Sequence, residues 1–342
     1  MSGCPHFPAL PGAFFPGCRF KLVVTASAYS KRGGFMPLSS IWYFGILDRL
    51  SIMSPVIIDF HTHIFPPWLR ESRDEYVKLD SCFSLLYSHP KAAMATAEEL
   101  LAAMDEAGVS VSVVLNIGWV NHELCVRTND YILDSISRYP DRLVGFCAVQ
   151  PRAGDAAVAE LERCAKAGAR GLGEMRSDMQ GFDLADEAVM KPLVEAALKH
   201  DLIFVTHSSE PVGHQYSGKG GVTPDILYSF ITAFPNLKIV CAHWGGGLPF
   251  YALMPEVETA LANVFFDTAA TVFLYKPQIF EHATQIVGSD KVLFGTDYPL
   301  MHQNRVIAQI RSSRLSEEDK AGILGANARK LLCLDEKRRS VT

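Results

Sequence analysis

From residue 55 onward the chain repeats one pattern: a short run rich in β-branched residues, a loop, and a segment whose apolar residues recur at three- and four-residue spacing. We predict that eight of these runs are strands, because continuous apolar runs are typical of strands with both faces covered. They span residues 56–60, 109–115, 143–149, 171–175, 202–206, 238–242, 264–267 and 291–295. Eight strands alternating with helices predict an α/β fold, a (β/α)8 TIM-type barrel of parallel strands with an outer ring of helices.

The segments between the strands divide into helices and one long connection. Six segments are predicted helices: 96–107, 123–138, 155–167, 187–200, 224–234 and 277–287. The connection at 66–95 is long for a strand-to-helix loop, so we interpret it as a lid, a specificity element or a dimer contact. It carries Trp68, Arg70, Arg73, Tyr76, Phe83 and Tyr87.

Composition narrows the class of protein. The chain has 342 residues, of which 49% are hydrophobic and 20% charged, as in ordinary globular proteins. A net charge of −5 gives no clustered basic surface, so we expect no nucleic-acid partner. The sequence contains no stretch of eighteen or more apolar residues, so we predict no membrane span. Eight cysteines without a C-x-x-C pair indicate a reducing compartment, and we expect a cytoplasmic protein.

Residues 1–53 differ in character from the rest. They are rich in Pro, Gly and Ser, and Asp48 is their only acidic residue. Lys31 and Arg32 interrupt the apolar stretch that a secretory signal needs. We predict a disordered extension at 1–53, with Met53 beginning the functional chain and a transit peptide as the alternative. The barrel is predicted at 54–336 and a C-terminal tail at 337–342.

Polar side chains follow the predicted strands at their carboxyl ends, where barrel enzymes place their working residues. His61 and His63 follow the first strand, His207 the fifth and Asp297 the eighth. Residues two apart on an extended chain project to the same face, so His61 and His63 are placed to bind one cation together. Imidazole and carboxylate groups suit Zn²⁺. We therefore predict one divalent cation, Zn²⁺ or else Mn²⁺, bound by these four residues.

Three segments resemble motifs of the amidohydrolase superfamily, within its group that includes aminocarboxymuconate semialdehyde decarboxylase. They are 57–63 (IIDFHTH), 242–247 (AHWGGG) and 294–299 (FGTDYP), and the ending at 325–332 (GANARKLL) is also similar. The resemblance covers about residues 56–334. It implies that His61, His63, His207 and Asp297 are the metal ligands and that His243 polarises the substrate.

Other residues near these motifs are compatible with more than one role. Glu174 ends the fourth strand, where the resemblance implies a carboxylate that can bind a second metal. The alternative is a hydrogen-bonding carboxylate that orients a ligand histidine. Arg176 follows it and is interpreted as a clamp for a substrate carboxylate or as the ion-pair partner of Glu174. Trp244 is a further candidate substrate contact. The glycines at 245–247 are predicted to let the backbone pass close to the site.

The predicted chemistry follows from these roles. A bound cation lowers the pKa of its water, Asp297 can take up a proton, and His243 can donate to an oxygen that becomes negative. We predict a metal-dependent hydrolase that acts on a C–N or C–O bond of a small molecule by metal-activated water. The alternative is a non-oxidative decarboxylase or hydratase of a carboxylated substrate with the same metal core. Arg70, Arg73 and Arg176 are then the candidate cations for the carboxylate.

Other classes of protein fit less well. A TatD-type nuclease shares the H-x-H pair, the glutamate and the final aspartate, but the AHWGGG segment and the acidic balance favour the amidohydrolase-related group. A non-catalytic barrel that serves only as a binding module would be expected to have lost at least one of the four metal ligands. All four predicted ligands are present in this sequence. The expected partners are a small-molecule substrate and a second copy of the chain in a homodimer.

The predicted extension can be tested by truncation. Deleting residues 1–52 should leave folding and metal content intact, because this segment lacks the patterned apolar surface needed to join a core. Circular dichroism and elemental analysis of the shortened protein check this expectation. Loss of soluble protein on truncation would count against it.

Overall fold

A computed structural model of the chain describes residues 56–334. The predicted extension at 1–53 and the predicted tail at 337–342 lie outside this range. Eight strands form one sheet in the order β1 to β8, and each neighbouring pair is parallel. The strands are β1 (Ile58–Thr62), β2 (Val111–Leu115), β3 (Leu143–Cys147), β4 (Gly171–Met175), β5 (Ile203–Thr206), β6 (Ile239–Cys241), β7 (Val264–Asp267) and β8 (Val292–Leu293).

Backbone hydrogen bonds also join the end of the sheet to its beginning. Phe60 N donates to Phe294 O at 2.7 Å, and His63 N donates to Tyr298 O at 2.7 Å. Thr62 and Tyr298 form a parallel bridge. The sheet therefore closes, which confirms the predicted (β/α)8 barrel.

The helices surround this barrel. The α-helices are α1 (Pro67–Glu71), α2 (Arg73–Leu79), α3 (Ser81–Tyr87), α4 (Ala97–Ala107), α5 (His122–Arg138), α6 (Asp155–Lys166), α7 (Ser177–Gln180), α8 (Glu187–Lys199), α9 (Pro224–Ala233), α10 (Ala242–Gly245, a single turn), α11 (Pro255–Ala260), α12 (Thr271–Leu274), α13 (Ile279–Val287), α14 (Gln303–Ser312), α15 (Glu317–Ala321) and α16 (Asn327–Leu331). The six predicted helices are present as α4, α5, α6, α8, α9 and α13. Within residues 56–334, no helix has the length and apolar character needed to cross a membrane.

Helix α4 shows how local sequence sets these boundaries. The Thr96 side chain accepts from Glu99 N while the Glu99 carboxylate accepts from Thr96 N, so the first turn has a complete capping box. Gly108 ends the helix with a φ of 70°, a conformation that costs glycine little. Leu100 and Met104, four residues apart, are buried on one face. That face packs the helix against the barrel.

The eighth strand is shorter than predicted, at Val292–Leu293 rather than 291–295. Beyond Leu293, side chains accept from two backbone amides. Gly295 N donates to Thr268 Oγ1 at 3.0 Å, and Thr296 N donates to Asp59 Oδ1 at 3.1 Å. Backbone bonds with β1 continue at Phe294 and Asp297, so the regular ladder with β7 ends before Asp297 while the contact with β1 remains.

The prediction of a loop at 66–95 is wrong. This stretch contains α1, α2 and α3, each of five to seven residues. Such short helices carry little periodic signal, and they depend on tertiary packing. Leu69 and Phe83 are buried in a side cluster with Phe65 and Trp119, and the Phe83 and Trp119 rings stack at 5.1 Å.

The core divides the barrel into a closed and an open end. Apolar side chains from the strands, among them Ile58 and Val240, fill the interior together with Ala328 and Leu331 of α16. Because Gly325 lies against the carbonyl of Val56, just before β1, this last segment covers the amino-terminal end of the strands. The carboxyl ends are left for polar groups.

Asp80 fixes α3 to the barrel. Its carboxylate is buried and accepts from Phe83 N at 3.0 Å, which caps the helix. It also accepts from Val120 N at 2.8 Å and Asn121 N at 3.0 Å, in the connection between β2 and α5. One side chain therefore satisfies three backbone amides in two segments.

Replacing Asp80 should consequently destabilise the fold. We expect Asp80→Ala to lower the free energy of unfolding by on the order of 3 kcal/mol, since it removes a helix cap and leaves two further amides without an acceptor. Asp74→Ala, at an exposed position of α2, should change it by less than about 0.5 kcal/mol. Urea unfolding measures both, and equal effects of the two variants would contradict this role.

Candidate metal centre and its cavity

His61 and His63, on β1 and just beyond it, have fixed ring orientations. His61 Nδ1 donates to Asp267 Oδ2 at 2.8 Å, and His63 Nδ1 donates to the carbonyl of Leu115 at 3.0 Å. Both rings therefore carry the Nδ1 proton, which leaves Nε2 available to a ligand. All these side chains are buried, so water does not compete for the orienting hydrogen bonds.

The two Nε2 atoms lie 3.1 Å apart. In neutral rings each presents a lone pair, and lone pairs at this distance repel unless a proton or a cation lies between them. Asp297 Oδ1 is 3.3 Å from His63 Nε2 and 3.8 Å from His61 Nε2. The ligand atoms of these three residues all lie within 4.8 Å of one another. Their chemistry and spacing fit a divalent cation.

The charge around His61 supports the same conclusion. Burial acts to lower its pKa, but the attraction and hydrogen bonding of Asp267 and the nearby Glu174 raise the pKa of His61 well above its ordinary value. The carboxylates thus make this position favourable for positive charge. A metal cation that binds Nε2 would benefit from the same attraction.

Glu174 lies in the middle of the cluster. Its Oε2 is 3.7 Å from Nε2 of both His61 and His63, and its Oε1 is 2.9 Å from His207 Nδ1 and 3.4 Å from His243 Nε2. Burial raises its pKa, but hydrogen bonds with His207, His243 and His61 outweigh burial and hold the pKa well below its ordinary value. Glu174 is therefore an ionised carboxylate shared among histidines. With His61 and His243 it forms a second set whose ligand atoms lie within 4.8 Å.

His207 contacts the cluster through Glu174. Its Nδ1 meets Glu174 Oε1, and its Nε2 lies 3.1 Å from Ser209 Oγ. Burial and the positive charge of Arg176 lower the pKa of His207. The ring is thus neutral near pH 7, which is the form that binds a metal. The four predicted ligands lie at the same end of the barrel. The Glu174 carboxylate lies between His207 and the His61/His63 pair.

His243 has a sparsely populated backbone conformation. Its φ is 54°, and Trp244 follows with a φ of 58°. The Asp267 carboxylate holds this turn, since its Oδ1 accepts from His243 N at 2.8 Å. His243 Nδ1 lies 3.3 Å from the Ala269 carbonyl, so Nε2 faces Glu174. Burial opposes protonation, but hydrogen bonding and attraction to Glu174 raise the pKa of His243.

The glycines after Trp244 serve the close approach that the sequence predicted. A Cβ at Gly246 would lie 2.3 Å from the carbonyl oxygen of Ser209. Gly246 also has a φ of 58°. The backbone after β6 therefore touches the backbone after β5, which brings His243 and His207 together with ring centroids 5.0 Å apart.

Asp297 has a φ of 65°, and its N donates to the carbonyl of His61 at 2.8 Å. Burial raises its pKa, but His63, His61 and His243 together lower it below its ordinary range. The carboxylate is therefore ionised beside the two histidines of β1. Its backbone bond fixes this position to the same residue that offers Nε2.

A cavity of about 420 Å³ ends on this cluster, a size that suits a small molecule. Its polar end consists of His63, Glu174, His207, His243 and Asp297. The remaining wall is largely apolar and includes Leu86, Tyr87, Ala92, Ala93, Ile117, Ala270, Phe273, Leu274, Pro299 and Leu300. The segment 66–95 thus contributes to the cavity wall, through α3 and the residues after it.

Arg176 lines this cavity but does not pair with Glu174, so the predicted ion pair is wrong. Its Nη2 lies 3.3 Å from Asp178 Oδ2 and 3.0 Å from the Gly218 carbonyl. The chain turns after β4, and this turn directs the guanidinium towards α7 and the connection after β5. The alternative interpretation, a contact with substrate, is compatible with its place in the cavity wall.

Three other side chains that were predicted to contact substrate lie outside the cavity wall. Trp244 is fully buried, donates to Thr271 Oγ1 at 2.8 Å and packs on Phe280, outside the cavity lining. Arg70 forms an ion pair with Glu99, and Arg73 donates to backbone carbonyls of residues 89–92. Neither arginine lines the cavity. Short helices, rather than an open loop, direct these side chains outward.

Some residues of the site were not identified from the sequence. Asp267 orients His61 and the His243 backbone, and its position at the end of the predicted seventh strand was the available signal. His214, Tyr216 and Phe273 line the cavity from connections after β5 and β7, where no sequence pattern distinguishes them.

Comparisons with known proteins agree with the geometry. A family model described as Amidohydrolase matches residues 58–334. A gamma-resorcylate decarboxylase of Polaromonas sp. is 25% identical over 285 residues, covering 68% of this chain and 86% of that protein. A 2-amino-3-carboxymuconate-6-semialdehyde decarboxylase of Dictyostelium discoideum is 27% identical over 246 residues, covering 62% and 67%. An L-fucono-1,5-lactonase of Burkholderia ambifaria is 24% identical over 262 residues, covering 71% and 80%.

Solved structures share the fold. A 5-carboxyvanillate decarboxylase of Novosphingobium aromaticivorans, with bound manganese, superposes with a TM-score of 0.69 at 19% identity, covering 82% of this chain and 97% of that one. The matched family model covers most of the chain, and the closed barrel with histidines at its strand ends agrees with it. The chain belongs to the amidohydrolase family, as the sequence motifs predicted.

Proposed function

We propose that this protein is a metal-dependent, non-oxidative decarboxylase of a small carboxylated aromatic or enolic compound. The observation that carries the proposal is a cavity with apolar walls that ends on clustered imidazole and carboxylate groups. An apolar wall suits a planar ring, and the polar end suits the oxygen substituents of that ring. Relatives named as decarboxylases favour this reaction over the hydrolysis expected first.

The proposed metal ligands are His61, His63, His207 and Asp297, with Glu174 as an additional candidate. Zn²⁺ and Mn²⁺ both suit this donor set, and a related structure contains manganese. When bound, the cation would supply a Lewis acid that stabilises negative charge on a substrate oxygen. For His207 to bind this cation as well, its ring would have to give up the hydrogen bond with Glu174.

Asp297 is proposed to move the proton. Its carboxylate is ionised and faces the cavity, so it can accept a proton from a substrate hydroxyl and deliver it to the ring carbon that bears the carboxylate. The bond to that carboxylate then breaks, CO₂ leaves, and the electron pair returns to the ring. The proton taken from oxygen is thus the one that replaces CO₂ on carbon.

His243 is proposed as the donor to the developing oxyanion. The carbonyl of Ala269 holds Nδ1, while Nε2 faces the cavity beside Glu174. Because its pKa is raised, the ring can donate through Nε2 to a substrate oxygen as that oxygen gains charge. Hydrogen bonding of the His243 backbone to Asp267 keeps this donor in place before substrate arrives.

The metal assignment predicts a difference between two histidine variants. His61→Ala should lose the bound cation, because it removes a ligand from the most closely spaced pair, whereas His243→Ala should retain it. Inductively coupled plasma mass spectrometry of the purified proteins measures occupancy. His282→Ala, at an exposed helix position, is the matched control and should retain the metal. If His243→Ala lost the metal as completely as His61→Ala, His243 would have to be reassigned as a ligand.

The reaction can be tested with a substrate panel. Metal-loaded protein should release CO₂ from hydroxylated benzoates, such as 2,6-dihydroxybenzoate or 5-carboxyvanillate, as followed by chromatography of the decarboxylated phenol. His243→Ala should slow this reaction by about 100- to 1000-fold, the usual cost of losing one preorganised donor. A lactone panel serves as the comparison. Hydrolysis of lactones without release of CO₂ from any carboxylated ring would contradict the proposal and favour the hydrolase.

A further inference from the structure

Arg176 is the one Lys or Arg in the wall of the cavity within residues 56–334. Its side chain is only 2% exposed. A guanidinium with so little access to solvent requires partners, because a buried cation without them is costly. The acceptors around the guanidinium therefore show which of its N–H donors still need a partner.

The guanidinium has more donors than the described residues use. Among these residues only Nη2 has acceptors, namely Asp178 Oδ2 at 3.3 Å and the Gly218 carbonyl at 3.0 Å. Nε is buried and has no acceptor within residues 56–334. Guanidinium groups present five N–H donors in a planar fork that matches carboxylate geometry. Arg176 is thus a partly satisfied cation beside a cavity whose other walls are mostly apolar.

Asp178 neutralises Arg176 only in part. Its carboxylate also accepts from Gly221 N at 3.1 Å, and its contact with Nη2 is long for a charge-assisted bond. Arg176 lines the same cavity as His63 and His207, so its remaining positive charge faces the space next to the metal centre.

The carboxylate that leaves is a poor partner for such a cation. An ion pair with the reacting carboxylate would be lost as neutral CO₂ forms, so it would stabilise the substrate more than the transition state and raise the barrier. A substituent that keeps its charge throughout the reaction does not have this cost. It gives binding energy and orientation in both states.

From these observations we infer that Arg176 binds a second, non-reacting anionic substituent of the substrate, a carboxylate or a phenolate. The substrate is then a dianion, with one group at the metal centre and the other at Arg176. Which of the two groups reacts rests on the proposed function, but recognition of a second anion at Arg176 does not. Arg176 is accordingly a specificity-determining residue.

A purely structural role for Arg176 makes a different prediction. Arg176 and Asp178 both bind the connection after β5, through Gly218 and Gly221, and this connection lines the cavity with Tyr216. If Arg176 only held this connection in place, its loss would weaken mono- and dianionic ligands alike. Loss of Asp178 would then have a similar effect.

The test measures binding without turnover. Isothermal titration calorimetry on metal-loaded full-length protein compares isophthalate, a dianion, with benzoate, its monoanionic counterpart. We expect Arg176→Gln to weaken isophthalate by about 10- to 100-fold, as for a lost charge-assisted hydrogen bond, and benzoate by less than about 3-fold. Arg176→Lys, which keeps the charge without the fork, should fall between wild type and Arg176→Gln. Asp178→Asn should bind isophthalate at least as tightly as wild type.

The outcomes separate the two hypotheses. Equal weakening of both ligands by Arg176→Gln, or weaker isophthalate binding by Asp178→Asn, would overturn the inference and indicate a structural role. If Arg176→Gln does not fold, Arg176→Lys still decides through the ratio of the two affinities. Selective loss of the dianion without CO₂ release from any substrate would support recognition by Arg176 and refute the decarboxylase instead.

Discussion

The site depends first on the Asp267 carboxylate, which is completely buried at the end of β7. One oxygen orients the His61 ring, and the other accepts from His243 N and Ala269 N. Three hydrogen bonds satisfy a charge that would otherwise be costly inside the protein. A single side chain thereby connects β1, β6 and β7 and fixes both the donor atom of His61 and the unusual backbone of His243.

Barrel closure gives a second constraint of the same kind. Asp59, also fully buried, accepts from Thr296 N, Thr296 Oγ1, Gln303 Nε2 and His61 N. Burial raises its pKa to about 6, although these hydrogen bonds and His61 act to lower it. This carboxylate joins β1 to the chain after β8, so that Asp297 reaches the histidines. The groups proposed to bind metal and to react are thus held by buried carboxylates on two sides before any ligand binds.

Sequence alone predicted the eight strands, because each is an apolar run with a polar end, and it predicted that the histidines and Asp297 converge there. It did not predict the short helices at 66–95, since five to seven residues give no clear period. The direction of Arg176 and Trp244 also escaped it, because the local turns after β4 and β6 decide where those side chains point. Position in the chain placed Glu174 near the site, but only three-dimensional packing places it among four histidines.

Anomalous diffraction from metal-loaded crystals, recorded at the zinc and manganese absorption edges, tests whether the cation lies where the β1 histidines and Asp297 meet. We expect one strong peak at about 2.0–2.2 Å from His61 Nε2, His63 Nε2 and an Asp297 oxygen, at the cavity end that Glu174 borders. Zinc and manganese are distinguished by the edge at which the signal rises. A fully loaded protein whose anomalous peaks lie away from these three residues would contradict this placement of the cation.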